Sequence, residues 1–511
     1  MTALNNSKRI FKNTLYLYFR TFITMVVSIF TSRVVLDVLG VEDYGIYNVV
    51  GGFVSMFSII SGTLTVASQR YLSYELGRDN PDIQKVFSVT LFIHFILAII
   101  ILLLLETIGV WFLNSKMNIN ADRMYAANWV FQCSIVTFCV NLISVPYNAL
   151  IIANERMNVF AFISIFEVTA KLGAVYLLTL FRFDKLIVYA LLMLLISITL
   201  RLIYSIYCKR NIEGSRFKFV QDKNLYKNML QFCGWNFIGT TSGILNGQGI
   251  NILINLFFGV TFNAARGIAE QVNNAIYNFV SNFTMALNPQ ITKSFASKDY
   301  QYMNKLILRG TNYAFYLLWL ICLPILIESD FILDLWLKTV PPYALIFVRY
   351  AIIYTLCQTL SQTLYAAMLA TGKIKKYQIV VGTLNIMAFP VAFLFFKIGL
   401  PAEFGYISTI IFSILCLFVR IIMLQDMIPG FRAIRYLKES LLNILLVLIL
   451  SLGMVLCFDY ITPRSNLLLF LLTCLFSVLV TFGCIYFVGL DKSERLFVVD
   501  FIRKKFLKEI S

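Results

Sequence analysis

TSRVVLDVLGVEDYGIYNVVGGF, residues 31–53, closes one very apolar helix, turns at Leu39-Gly40 and opens the next helix at Tyr44. It has an echo in the second half of the chain, NILINLFFGVTFNAARGIAEQV at residues 251–272. Aligning Gly40 with Gly259 sets a shift of 219 residues, under which Val41 meets Val260, Thr65 meets Thr284 and Ala67 meets Ala286. A second echo, independent of the first, places Tyr147 and Ala149 of YNALIIANERM on Tyr365 and Ala367 of YAAMLATGKIK at a shift of 218. Two matches at nearly one spacing predict an ancestral duplication. Internal repeats are the usual build of transporters, with substrate held between the halves.

Working outward, the chain has 511 residues, 59% of them hydrophobic and only 14% charged. A soluble core cannot use that much apolar surface, whereas hydrocarbon can, so the fold class is all-α and polytopic in a membrane. The net charge of +17 does not point to nucleic acid, because the basic residues are spread over short loops between apolar runs. The ten cysteines lie in or at the ends of apolar segments, which argues against disulfides and metal sites. Lys8, Arg9 and Lys12 precede the first apolar run with no small-residue cleavage site, the pattern of an uncleaved signal anchor.

Runs of about 20 apolar residues predict about fourteen transmembrane helices. They fall at 15–36, 44–66, 87–108, 124–145, 159–181, 186–207, 229–258, 263–287, 311–327, 343–368, 377–396, 406–424, 441–458 and 467–487. The first, seventh and eighth carry enough polar residues to escape a strict hydropathy threshold. With the N-terminus inside, 29 Lys and Arg fall in inner segments and 7 in outer loops. That bias predicts an even span count with both termini cytoplasmic. The expected organisation is a six-helix lobe at 1–210, a cytoplasmic linker at 211–228, a second six-helix lobe at 229–430, and two extra helices with a basic tail at 431–511.

Seven basic residues lie inside spans: Arg20, Arg33, Lys171, Arg201, Arg266, Arg349 and Arg420. Each costs about 2.5–3.5 kcal/mol at mid-bilayer and needs a reason to be there. Snorkelling accounts for Arg201 and Arg420 near inner helix ends, and Arg349 serves as an anchor or in function. Arg20 shares a polar face with Thr24, Ser28 and Thr31, and Arg33 stands four residues before Asp37. Arg266 opens a stripe with Glu270, Asn273, Tyr277 and Ser281, and the preceding helix sets Gln248, Asn251 and Asn255 on one face. Such stripes face protein or water, so they bond other helices or line a cavity. Glu167 and Lys171 have the spacing of an ion pair. Gln358 and Gln362 share a face with Tyr365 and suit sugar hydroxyls or a partner helix equally. Four in-membrane acids, Asp37, Glu106, Glu167 and Glu270, leave the interior net cationic, which favours an anionic substrate group. The single histidine, His94, reads as packed rather than as a proton relay, and no cofactor or metal is implied.

Four phrases carry a resemblance: LGVEDYGIYNVVGGF followed by Ala67–Gly77, VPYNALIIANERMNVFAF, LDLWLKTVPPYA and ATGKIKKYQ. In this order, over residues 8 to 430, they resemble the Wzx-type oligosaccharide flippases of O-antigen and capsule loci, in the MATE-like exporter superfamily. The resemblance implies two pseudo-repeated lobes around a central cavity, alternating access, and a polyprenyl-pyrophosphate-linked oligosaccharide as cargo in the bacterial inner membrane. It also implies cavity bases on the first, second and eighth helices; Arg20, Arg33 and Arg266 fit the first and eighth, while the second offers only Arg70 at its inner end.

The leading reading is therefore a flippase and not an enzyme. Its expected substrate-binding residues are Arg20, Arg33, Arg266, Lys171, Gln248, Asn251, Asn255, Asn273, Tyr277, Gln358 and Gln362. Glu167 and Glu270 are candidates for coupling to H+ or Na+, and membrane lipids and glycan polymerase machinery are the expected partners. An integral-membrane glycosyltransferase or polymerase would use Glu42 or Asp43 as its acid, but such enzymes need a large outer domain and the outer loops are short. Those two residues read instead as a helix cap. A cation or drug antiporter on the same fold is disfavoured by the cationic interior.

Overall fold

The computed structural model describes residues 2–117, 119–178, 180, 183–337, 340–461, 467–492 and 494–496. The side chains of Arg33 and Glu42 lie outside the described residues, as does the basic tail beyond 496. Helices dominate, with no strand among the described residues. Among the described residues ten helices are long and apolar enough to cross a membrane, or eleven with the bent pair Asp43–Val54 and Ser58–Glu75 counted as one span. The fourteen expected segments fall on helices, but the second is interrupted by a turn at 56–57 and the tenth by one at 360–361, and the end of the fifth runs into undescribed residues. Those beyond the ten fall on long helices with more polar faces.

The first of these, α1 (Thr2–Ser55), is broken at Gly40, where φ is 78°. Gly259, its partner in the repeat, has φ 87° and separates α8 (Lys223–Phe258) from α9 (Val260–Ala296). Both breaks require the left-handed backbone that glycine adopts without penalty. The second echo also ends in left-handed turns, one position out of register, at Glu155 with φ 60° and Gly372 with φ 72°.

Contacts divide the chain into two compact units, residues 1–241 with 285–299, and 242–284 with 300–511. In the first, α5 (Met124–Ala153) is central and packs on α1, α2 (Ser58–Glu75), α3 (Ile83–Leu104) and α7 (Lys185–Asn211). Val130, Phe131, Ile135 and Leu142 of α5 meet Ile46 and Val50 of α1 and Val89 and Ile101 of α3 in one core. Without a hydrophobic drive between helices in lipid, close van der Waals fit of such faces holds them together. The outward faces stay apolar, as at Phe95, Ile99 and Leu103 of α3.

One corner of this unit is pinned by charge. Arg123 reaches Asp184 at 2.6 Å and Asp43 at 2.5 Å. Asp184 also caps α7, accepting from the amides of Leu186 at 3.0 Å and Ile187 at 3.3 Å. Asp43 is thus engaged by Arg123, a partner that the expectation of a simple helix cap missed. Burial pulls the Asp184 carboxyl up, but the Arg123 bond and the two amides outweigh it and hold it below its ordinary 3.8. A carboxylate whose folded value is depressed stabilises the fold above its unfolded value and loses that effect as pH falls through the folded one. We expect the melting-temperature gap between the wild type and Asp184→Asn to be constant from pH 7 to pH 5. It should close as the pH drops below 3.8. Partial exposure limits its size to about 1 kcal/mol, and a gap that persists in acid would show that charge is not what Asp184 contributes.

In the second unit, α10 (Tyr300–Ile327) packs on α12 (Ala344–Thr359), α13 (Gln362–Thr371), α17 (Asn443–Ile461) and α18 (Leu467–Cys484). The last two helices are seated by polar contacts. Trp319 Nε1 donates to Ser451 Oγ at 2.8 Å, and Arg309 pairs with Asp491 at 2.8 Å and Glu494 at 2.9 Å. Beside them α14 (Lys375–Lys397) and α15 (Phe404–Met427) form a tightly packed pair that also contacts α12.

Candidate functional site

The second unit gathers six of the expected residues. Arg266, on α9, is 6% exposed, and its guanidinium lies over the Tyr406 ring at 5.0 Å. Its Nη2 donates to the Gly247 carbonyl at 3.4 Å and stands 3.7 Å from Glu270, one turn on. Its Nη1 is buried and has no hydrogen-bond partner among the described residues. Glu270 lies near Tyr406 and near Tyr354, whose hydroxyl accepts from Gln358 Nε2 at 2.9 Å. Asn273 bonds Thr355, and Gln362 donates to the Tyr277 hydroxyl at 3.3 Å. The stripe at 266, 270, 273 and 277 therefore meets polar groups of α12, α13 and α15. Gln248, Asn251 and Asn255, although on one face of α8, make no side-chain hydrogen bond among the described residues.

Arg420 joins the same neighbourhood. It is 8% exposed, so it does not snorkel as its place near a helix end suggested. Nε donates to the Tyr377 hydroxyl at 3.1 Å, and Tyr365 and Tyr354 feel its charge. No carboxylate lies within ion-pair distance of it among the described residues. Tyrosine faces and hydroxyls offset part of the cost of burying the cation in both arginines. Arg201 is treated similarly, its guanidinium lying 4.1 Å from the Tyr147 ring centre. Arg349 is an anchor, bonded to Ser329 at 2.9 Å and Asp330 at 3.3 Å.

In the first unit, Arg20 lies over Phe160 at 4.8 Å and donates to Thr21 at 3.4 Å. Lys171 and Glu167 pair at 2.6 Å, as their spacing predicts. Arg20 and Glu167 both act electrostatically on the buried Tyr204 hydroxyl, which links the two spans through one group. His94 is buried with Nδ1 2.8 Å from the Thr90 carbonyl, inside a packed core.

Sequence reasoning missed the densest polar hub. Glu155, 4% exposed, accepts from Arg9 Nε at 2.7 Å, Lys293 Nζ at 2.7 Å and Gln290 Nε2 at 2.5 Å. It sits in the turn that ends α5, where its amide bonds Ile152 O at 2.8 Å and the Arg156 amide bonds Ile151 O at 3.1 Å. Glycine normally takes this left-handed position. A glutamate here costs about 1–2 kcal/mol in backbone energy, offset by a carboxylate held by three donors.

This helical membrane chain, with its broken helices, buried cations and polar stripes, has a MATE-like fold. Three solved structures illustrate the likeness. A MATE protein in the straight conformation has a TM-score of 0.69 at 14% identity, covering 82% of this chain and 95% of that one. An outward-facing multidrug resistance MATE transporter of the MOP superfamily gives 0.69 at 13%, covering 81% and 94%. A MOP superfamily transporter from Pyrococcus furiosus, described as having a binding pocket of reverse polarity, gives 0.68 at 13%, covering 84% and 96%. None of the curated proteins matches the chain in sequence. Residues 10–297 match the family described as polysaccharide biosynthesis protein. The chain belongs to that family, whose members are Wzx-like flippases.

Proposed function

We propose that the chain moves a polyprenyl-pyrophosphate-linked oligosaccharide from the cytoplasmic to the outer leaflet of a bacterial inner membrane, for O-antigen, lipopolysaccharide or capsule synthesis. Both termini would lie in the cytoplasm. Transport is by alternating access of the lobes at 1–210 and 229–430. The observation that carries this reading is Arg266, a buried arginine with a spare donor among amides and hydroxyls. A diphosphate oxygen satisfies that donor by a charge-assisted bond, worth more than a neutral one. Arg20, Arg33 and Lys171 supply further positive charge. Gln248, Asn251, Asn255, Asn273, Tyr277, Gln358 and Gln362 offer the neutral donors and acceptors that sugars need.

An inside-negative potential favours outward movement of the anion by about 2.3 kcal/mol per charge per 100 mV. Glu167 and Glu270, each beside a cation, are the groups through which H+ or Na+ would couple to it. The test is reconstitution in liposomes with fluorescent polyprenyl-diphosphate glycolipid in one leaflet. Leaflet exchange above that of empty vesicles is expected when an inside-negative potential is imposed. Absence of exchange under potential, proton and sodium gradients, alongside efflux of a cationic dye by the same vesicles, would replace the flippase with an antiporter.

A further inference from the structure

The first unit contains a cavity of about 200 Å³ that none of the expected site residues lines. Three polar side chains of α5, Ser134, Thr137 and Asn141, face it together with Tyr47, Phe138 and Met193. The three polar positions are three and four residues apart and so share one face of α5.

In an apolar helix a serine or threonine hydroxyl ordinarily folds back on the carbonyl one turn earlier. Ser144 of the same helix does so at 2.7 Å, as do Thr90 at 2.7 Å and Ser197 at 3.1 Å elsewhere in the unit. Ser134 and Thr137 do not, and Asn141 likewise makes no hydrogen bond among the described residues. Three neighbouring side chains, Asn141 exposed and the other two partly so, thus turn free donors and acceptors to one space, and their hydrogen bonds are left for whatever fills it.

The lining specifies what fits. No charged side chain contributes, so nothing compensates an ion. Tyr47 packs edge-on to Tyr189 with ring centres 4.8 Å apart, and Phe138 packs edge-on to Phe57 at 6.4 Å. Fixed aromatic surfaces beside neutral hydroxyls and an amide match a molecule with both C–H faces and hydroxyl groups. The volume equals roughly six or seven waters at about 30 Å³ each, the scale of one pyranose ring.

We infer that this cavity is a subsite for a neutral sugar residue, reading hydroxyls through Ser134, Thr137 and Asn141. The inference deepens the flippase proposal and rests on it for the identity of the cargo.

The purified full chain is irradiated with a diazirine-bearing neutral trisaccharide, and labelled peptides are mapped. Label on peptides of 124–153 is expected in the wild type. It should fall about tenfold in Ser134→Ala/Thr137→Val/Asn141→Leu, the effect of losing one or two neutral hydrogen bonds, and inorganic diphosphate should not compete. A thermal melt within the wild-type range confirms that the variant is folded. Thr137→Ser serves as a second variant that keeps the hydroxyl and should keep the label. Absence of α5 label in the wild type, undiminished label in the triple variant, or competition by diphosphate overturns the inference. Label on α5 in a protein that shows no leaflet exchange rejects the flippase reading and leaves the sugar subsite standing.

Discussion

Arg266→Ala is expected to abolish surface polysaccharide in cells that depend on this chain, with protein abundance unchanged. Among the described residues Arg266 Nη1 has no hydrogen-bond partner, and Nη2 reaches a carbonyl at 3.4 Å and a carboxylate at 3.7 Å. Beyond its stacking on Tyr406, the guanidinium therefore has bonding capacity to give to a ligand. Two charge-assisted bonds to a diphosphate contribute about 1.5–3 kcal/mol each, so transport should fall by about 100-fold or more. Arg266→Lys keeps the charge but loses the planar fork and the aromatic stacking, and should retain a small fraction of transport. Quantifying cell-surface glycan against membrane abundance of each variant checks this. Normal glycan in the alanine variant would remove Arg266 from the mechanism.

Glu155→Ala is expected to act on stability. It leaves Lys293, a mostly covered cation, and Gln290 without their common acceptor, and keeps a Cβ in a left-handed turn. Breaking a buried ion pair by removing one partner costs about 3–5 kcal/mol. Arg9, about half exposed, contributes little of that. Glu155→Gly separates the two causes, because it deletes the same carboxylate but relieves the backbone, and should recover about 1 kcal/mol relative to alanine. Thermal unfolding in detergent reads both. A Glu155→Ala melting temperature equal to the wild type would mean that the three contacts contribute nothing net.

How far the sequence carried depends on the separation of the interacting groups. Apolar runs and the Gly40 and Gly259 breaks are local, and the helices follow them. So are the Glu167–Lys171 pair and the face shared by Arg266, Glu270, Asn273 and Tyr277. What stayed hidden is what joins distant segments. Glu155 lies in one of the phrases that carry the family likeness, yet Gln290 and Lys293 are 135 and 138 residues away. Arg420 was assigned to the interface from its position along a helix, and only packing against Tyr377 reveals it as buried. The α5 stripe had the right periodicity, but small neutral side chains give no signal beside arginines. The number of spans is likewise not a local property, since α8 and α9 are long enough to cross a bilayer but too polar for hydropathy to count.

α8 and α9 each begin in one compact unit and end in the other. A polypeptide cut in the loop before Lys223 would yield fragments that coincide with neither unit. The first would hold Glu155 and Arg9, and the second Gln290 and Lys293. Two such fragments could restore the Glu155 contacts only by meeting as separate molecules, whereas the continuous chain supplies both sides at a fixed effective concentration.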